Sequence, residues 1–393
     1  MRGVVVRGAR EVAVEDVADA EIEAATDVLL RVTSTAICGT DLHIYEGRMG
    51  DVNGMLIGHE PVGVVEDVGS NVIGVRRGDR VVVPTHICCG FCAECVAGRS
   101  ALCLTTHPGA AGAAYGYPGM GDYRGCQTEL VRIPFADTNC LKLPGEPGDQ
   151  HEHDFVMLAD AFPTGFHATE LARVGAGDSV AIFGAGAIGL LAGLSARLHG
   201  AGDVYVVDHV PARLDQAGAM GFEPIDFTAA DPVEQIRDRL RGQRSGSAYR
   251  GEEADFGIAC GIDAIGFQAR SRVDPDLEDR HWVIRALADL VKPGGSIAII
   301  GVFLDRDHGL PEGPDAHGII PVPWGTLFKK GISIGLGRDH DLRYNRHLRD
   351  LIVAGRATPS VVVTHRLDLE QAADAFRRFD ARSDGYVKVV LAP

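Results

Sequence analysis

Three glycines, in Gly184-Ala-Gly186-Ala-Ile188-Gly189, sit where a strand-like VAIF hands over to a helix-like AIGLLAGLSARLHG. No other short segment constrains the chain so tightly. The first glycine permits a tight turn. The second lets a pyrophosphate approach the backbone, and the third lets helix and strand pack closely. The helix N-terminus then offers free N–H groups and its dipole to the anion. A structural glycine turn beside a surface acid would read the same way, so the context matters. VYVVD follows and ends at Asp208, 24 residues after Gly184. A carboxylate there can accept hydrogen bonds from adenosine ribose hydroxyls and would repel a 2′-phosphate. The turn Gly184, Gly186, Ile188 and Gly189, with Asp208, therefore predicts a site for NAD rather than NADP. Arg213 nearby would offset part of that repulsion.

The chain around this turn alternates strands with helices from about residue 160. VYVVD precedes PARLDQAGAMG; ADFGIACGID, HWVIRALADLV, SIAIIGVF and ISIGLG follow. Such alternation predicts an α/β, doubly wound parallel sheet. Its strands lack polar alternation, as strands covered on both faces do. Lys292-Pro293-Gly294-Gly295 reads as a helix stop and turn. Earlier residues are different: short Val-rich runs broken by Gly and Asp predict strands and turns, with no helical period before about residue 155. Residues 109–121 and 145–154 read as loops. Beyond about residue 338, RYNRHLRDLIVAG and LEQAADAFRRF read as helices and YVKVVL as a last strand. A length of 393 residues suits about two to three domains.

Composition excludes several classes. Lys plus Arg number 38 against 54 Asp plus Glu, a formal charge of −16, which disfavours nucleic acid or an anionic membrane as partner. The opening MRGVVVRGAREVAVEDV has no apolar core of a signal peptide. The longest apolar run without a charge, Val180–Ala196, falls short of a span of about 20 residues and reads as a buried strand entering a helix. A cytoplasmic protein is expected.

Five of nine cysteines fall within residues 88–103. Cys89, Cys92, Cys95 and Cys103 can close a tetrahedral thiolate site around Zn²⁺, with Gly90 and Gly98 supplying turns. With all four positions filled by protein, such a site is structural. Free or redox-active CxxC thiols are the alternative. Cys88 is left over, and Cys126, Cys140 and Cys260 read as core residues.

Three more segments carry reactive side chains: Cys38-Gly-Thr40-Asp41-Leu-His43, Gly58-His59-Glu60 and Asp160-Ala-Phe-Pro-Thr164. Singly each is ordinary, as a core Cys, a surface His or a helix-capping Asp. Spacing alone does not join them. Thiolate, imidazole and carboxylate nevertheless make a plausible catalytic zinc set with one position left open. His151 to Asp154, HEHD, could also bind metal, but a solvated loop is the expected reading.

In this order the segments, the cysteine lobe and the glycine turn resemble zinc-dependent medium-chain alcohol dehydrogenases over nearly the whole chain. AGAAYGYPGMGDYRG (111–125), DFVMLADAFPTGFHA (154–168) and DAIGFQAR (263–270) are most similar to glutathione-independent formaldehyde dehydrogenases. CGTDLHIY resembles threonine dehydrogenase equally well, and DRDHGLPEGPDAHG (305–318) matches no close pattern.

The resemblance implies a site. Cys38, His59 and Asp160 would hold the catalytic zinc, with Asp160 where many relatives have Cys. Thr40 would hydrogen-bond the reacting oxygen, His43 would pass the proton to solvent, and Asp41 would orient His59. Glu60 would lie behind the metal. Arg213 would contact the adenosine ribose, and Lys388 would be a basic cofactor contact.

It also implies an architecture. A GroES-like catalytic domain over 1–161 and 338–393, with the zinc lobe at 88–103, would enclose an NAD-binding Rossmann domain over 162–337. Two zinc ions per chain and a homo-oligomer, a tetramer as in many bacterial relatives, are expected. The expected reaction is oxidation of a small aldehyde hydrate or primary alcohol, formaldehyde foremost. A larger alcohol of the sugar-alcohol or threonine type, aldehyde dismutation with retained NADH, and a non-catalytic nucleotide-binding role are the rivals.

Overall fold

A computed structural model describes residues 1–244 and 257–393. The chain divides into two compact units: 1–163 with 307–311 and 339–393, and 164–306 with 312–338.

The second unit is built on a six-stranded parallel sheet. Its spatial order is Glu223–Asp226, Asp203–Asp208, Ser179–Phe183, Ile258–Asp263, Val291–Ile299 and Ser333–Leu336. This is the doubly wound order, in which the chain reverses direction across the sheet beside Ser179–Phe183. Branched and aromatic residues fill these strands because both faces are covered. Phe183, Tyr205, Ile225 and Ile297 pack with Leu287 and Trp282 of the helix Trp282–Leu290. Trp282 meets Phe183 edge-on, with ring centroids 5.5 Å apart. The apolar run from Val180 becomes the strand Ser179–Phe183 and the helix Ala187–Leu198. Among the described residues no helix is long and apolar enough to cross a membrane.

Two details of this unit differ from expectation. The helix Trp282–Leu290 does end just before residues 292–295, but instead of a separate turn they lie within the strand Val291–Ile299, where a register shift absorbs them and Gly294 takes φ +77°. The strand expected over ADFGIACGID covers Ile258–Asp263, and residues 254–256 lie outside the described ones.

The first unit is β-rich. Its main sheet runs His365–Asp368, Val389–Ala392, Val28–Ile37, Pro61–Val68, Arg80–Val82 and Leu141–Lys142, with Leu130–Ile133 also on Val28–Ile37. Val28, Leu30, Val65 and Val81 form one apolar cluster with Tyr115 and Ile133. The helices Asp341–Val353 and Ala372–Asp380 complete the unit, the latter burying Phe376 and Phe379. The helix α1, Gly39–Tyr45, was not evident as a period because it has only 7 residues. Its first turn is held locally: Asp41 Oδ2 accepts the N–H of Cys38 at 3.0 Å.

The loop expected over 109–121 contains the two-residue strand Ala113–Ala114, paired with His86–Ile87. The loop expected over 145–154 ends in the helix Glu152–Val156, and HEHD is not a solvated cluster. Glu152 is buried and accepts from Thr33 Oγ1 (2.7 Å), Ser34 Oγ (2.8 Å) and the Arg80 guanidinium. Asp154 accepts the N–H of Ser360.

Residues 307–311 interrupt the second unit's sequence yet pack with the first. Arg48 grips Asp307 with both arms, at 2.7 and 2.6 Å, and the N–H of His308 donates to the Arg48 carbonyl. The pair is buried, and Glu46 Oε2 lies 3.9 Å from the same guanidinium.

Candidate functional site

Sheet register assembles the reactive side chains. Val28–Ile37 pairs antiparallel with Pro61–Val68 through Thr35 opposite Pro61, and with Val389–Ala392 through Ile37 opposite Val389. The residues just past these pairs are Cys38, Glu60 and Lys388, so three strand ends converge. Gly58, at φ +100°, turns the chain into His59; a Cβ there would lie 2.4 Å from Gln127 Cγ. Thr85 then ties in the fourth member. Its N–H donates to the Ala159 carbonyl at 2.9 Å and its hydroxyl to the carbonyls of His59 and Ala159. Asp160 follows directly.

Cys38, His59, Glu60 and Asp160 thus present one ligand atom each within 4.8 Å of one another, all buried. Cys38 Sγ lies 3.3 Å from Asp160 Oδ2, His59 Nε2 lies 3.6 Å from the same oxygen, and His59 Nε2 lies 4.0 Å from Glu60 Oε1. His59 Nδ1 faces Asp41 Oδ1 at 3.1 Å, which turns Nε2 toward the cluster. Gln127 Nε2 donates to Asp41 Oδ2 at 3.1 Å. The sequence reading missed Gln127, since a lone glutamine carries no local signal. Thr40 Oγ1 is 3.6 Å from Cys38 Sγ, and His43 lies one turn further along α1.

The electrostatics fit a cation. Burial, then the Asp160 charge, pushes the Cys38 thiol up to about 11. Burial raises Glu60 as well, although Lys388 opposes it. Burial alone would lower His59, but Asp41, Asp160 and Cys38 together carry it well above its ordinary value. Lys388 answers one of the two carboxyls; a thiol, an imidazole and a second carboxyl crowded out of water still favour a further positive charge among them.

Lys388, expected as a basic cofactor contact, is 1% exposed, and its Nζ donates to Glu60 Oε1 at 2.5 Å.

The four cysteines of the lobe also meet within 4.8 Å. Four sulfurs, each about 2.3 Å from a tetrahedral centre, would lie about 3.8 Å apart. The observed separations are 3.4 Å (Cys92–Cys95), 3.9 Å (Cys89–Cys95) and 3.9 Å (Cys92–Cys103), and no disulfide joins them. Backbone N–H groups of Cys89, Cys92 and Leu104 point at the sulfurs of Cys103, Cys89 and Cys92. Against its burial, the N–H groups of Leu104 and Cys95 hold the Cys92 thiol down at about 6. Cys88 turns away to Asn139.

The glycine turn in the second unit is shaped for a close approach. Gly184 has φ +106°, and a Cβ there would lie 2.8 Å from Ile265 Cγ1. A Cβ on Gly189 would lie 1.8 Å from the Gly184 carbonyl oxygen. Nothing stands within 4 Å of a Cβ on Gly186, which caps the helix Ala187–Leu198, so the cradle is open there. Ile188 follows in its first turn. Asp208 Oδ2 accepts the Ala185 N–H at 2.8 Å, and Oδ1 accepts those of His209 (2.7 Å) and Val210 (3.0 Å). Arg213 Nη1 is 3.9 Å from Asp208 Oδ2. Against its burial, His209, Arg213 and these N–H groups hold the Asp208 carboxyl well below its ordinary range.

Residues 24–145 match the family described as the alcohol dehydrogenase GroES-like domain. Glutathione-independent formaldehyde dehydrogenase of Pseudomonas aeruginosa is 35% identical over 358 residues, covering 90% of this chain and 87% of that protein. Formaldehyde dismutase of Pseudomonas putida is 35% identical over 408 residues, covering 100% and 97%. Among solved structures, an alcohol dehydrogenase from Thermus sp. ATN1 superposes with a TM-score of 0.82 at 31% identity, over 100% of this chain and 99% of that one.

Proposed function

This chain belongs to the medium-chain zinc alcohol dehydrogenases, nicotinamide-dependent oxidoreductases, and from that premise we propose that it oxidises a small aldehyde hydrate or primary alcohol, formaldehyde foremost, with NAD as hydride acceptor. The observation that carries the reading is the convergence of Cys38, His59 and Asp160 from three distant segments. Formaldehyde is favoured because relatives named for it align over most of this chain.

In this reading Cys38, His59 and Asp160 hold a catalytic zinc, and Cys89, Cys92, Cys95 and Cys103 hold a structural one. Bound there, the catalytic zinc supplies a Lewis acid that eases loss of a hydroxyl proton, and NAD supplies the hydride acceptor. The rest falls to the chain. Thr40, beside Cys38, hydrogen-bonds the reacting hydroxyl and receives its proton. His43, three residues on, relays that proton to solvent. Asp41, steadied by Gln127, keeps His59 Nε2 aimed at the cluster. Lys388 balances Glu60. The glycine turn receives the pyrophosphate and Asp208 the adenosine ribose. With formaldehyde the substrate is its gem-diol: a C–H leaves as hydride, an O–H proton follows the relay, and formate results. Similarity to a dismutase over the whole chain favours one second reading, in which NADH stays bound and reduces a second aldehyde to the alcohol.

The test is NAD⁺ reduction with formaldehyde against a panel of primary alcohols, glutathione omitted. Turnover of formaldehyde to formate is expected. Turnover confined to bulkier alcohols would discard the substrate. Formate and methanol in equal amounts, without net NADH, would establish dismutation.

A further inference from the structure

A second buried cluster of ligand-type side chains lies in the first unit. His86, in the short strand after Thr85, meets Asp339 and Asp341, and the three present ligand atoms within 4.8 Å of one another. His86 Nδ1 is 2.9 Å from Asp341 Oδ2 and 3.5 Å from Asp339 Oδ1. The three residues are 6%, 3% and 1% exposed. One oxygen of each carboxylate, Asp339 Oδ2 and Asp341 Oδ1, is buried without any hydrogen-bond partner.

Charge is the difficulty. Among the described residues no Lys or Arg forms an ion pair with either carboxylate, and His86 is the basic group facing both. Even as an imidazolium it would leave one buried negative charge uncompensated, which costs several kcal/mol. A proton shared between the acids would join the two carboxylates only to each other, whereas a divalent ion engages both carboxylates and the imidazole together.

We propose that His86, Asp339 and Asp341 form a third metal site, for a divalent cation of the manganese or zinc kind. Two carboxylates and one imidazole suit such ions, and water would complete the shell. The site would fasten the residue after Thr85 to the start of the helix Asp341–Val353, two segments 255 positions apart. It is independent of which alcohol or aldehyde is oxidised.

The experiment uses the zinc-loaded full chain, freed of loose metal and equilibrated with Mn²⁺, which disfavours thiolate sites. Total bound divalent metal is counted by elemental analysis for the wild type, Asp339→Asn, Asp341→Asn and His86→Gln. The wild type is expected to hold one ion per chain more than each variant. Zinc released by a thiol-specific reagent reports the cysteine lobe and shows that each variant is folded. A Cys38→Ser variant is expected to keep the extra ion, which separates this site from the cluster around Asp160. Equal metal counts in the wild type and in any folded variant of the triad would overturn the proposal.

Discussion

Asp41 and His59 stand face to face, with Oδ1 3.1 Å from Nδ1, while the other oxygen of the same carboxylate accepts the N–H of Cys38. One side chain thus bears on the ring orientation of one proposed zinc ligand and on the backbone of another. Partners of this kind, behind the ligands themselves, typically control metal affinity or activity by about 10–100-fold. Asp41→Asn keeps the shape but removes the charge. It is expected to lower catalytic zinc affinity or kcat/KM by about that factor while leaving the cysteine-lobe zinc in place. A variant with wild-type zinc affinity and kcat/KM would refute the orienting role.

Removing a ligand has a sharper effect. Cys38→Ala, His59→Ala or Asp160→Ala is expected to lose one zinc per chain and most activity, about a thousandfold or more if zinc supplies several kcal/mol to the reaction. Elemental analysis and turnover on the same preparation decide it. Retention of both in any one variant would remove that residue from the ligand set.

In the proposed reading the cysteine lobe is a stability element, because four thiolates would leave no open position for substrate. Cys92→Ser should lose the structural zinc and lower Tm, with the catalytic zinc retained. An unchanged Tm, or a zinc count unaffected by the substitution, would contradict the assignment.

Asp208 is predicted to select the cofactor. NADH should quench or shift fluorescence at lower concentration than NADPH, and Asp208→Ser should narrow the gap. The variant also removes the carboxylate that accepts from three backbone N–H groups, so a small loss of Tm is expected with it. Tighter binding of NADPH by the wild type would sink the preference.

Glu152 provides a pH test away from both metal clusters. Burial would raise its carboxyl, but Thr33, Ser34, the Gly148 N–H and Arg80 hold it below the usual glutamate value. A carboxylate lowered in the folded state contributes stability above its unfolded pKa of about 4.3 and loses it as pH falls below that. Glu152→Gln is therefore expected to be less stable than wild type at pH 7, with the difference shrinking as pH drops through 4. Melting curves at pH 7, 5 and 4 check this. A difference constant with pH would mean the carboxylate charge is not what stabilises the fold there.

The parts of the molecule that were legible in sequence are those whose chemistry is local. Gly184 to Gly189 requires a strand before it and a helix after it, and Cys89 to Cys103 closes within one lobe. Cys38, His59 and Asp160 were joined by resemblance, since their meeting depends on strand register and on Thr85 hydrogen bonds that span distant segments. The contact of Lys388 with Glu60 was not legible, because YVKVV does not reveal that its strand lies beside Ile37. Glu152 sits among Gly, Pro and charge, and only tertiary partners make its burial tolerable. His86 and Asp341 are 255 positions apart and share no motif.

The grip of Arg48 on Asp307 bears on how such chains can be inherited in pieces. The polypeptide passes from one unit to the other at 163/164, 306/307, 311/312 and 338/339, so the nucleotide-binding unit is not a single removable cassette. A recombination event that exchanged everything between residues 164 and 338 would also exchange the acid that answers Arg48. A donor lacking it would leave Arg48 with Glu46, whose Oε2 is 3.9 Å away, but without the two-armed contact. Five residues of the first unit are thus inherited with the sequence of the second, and exchange of that sequence preserves this contact only where an acid arrives at position 307.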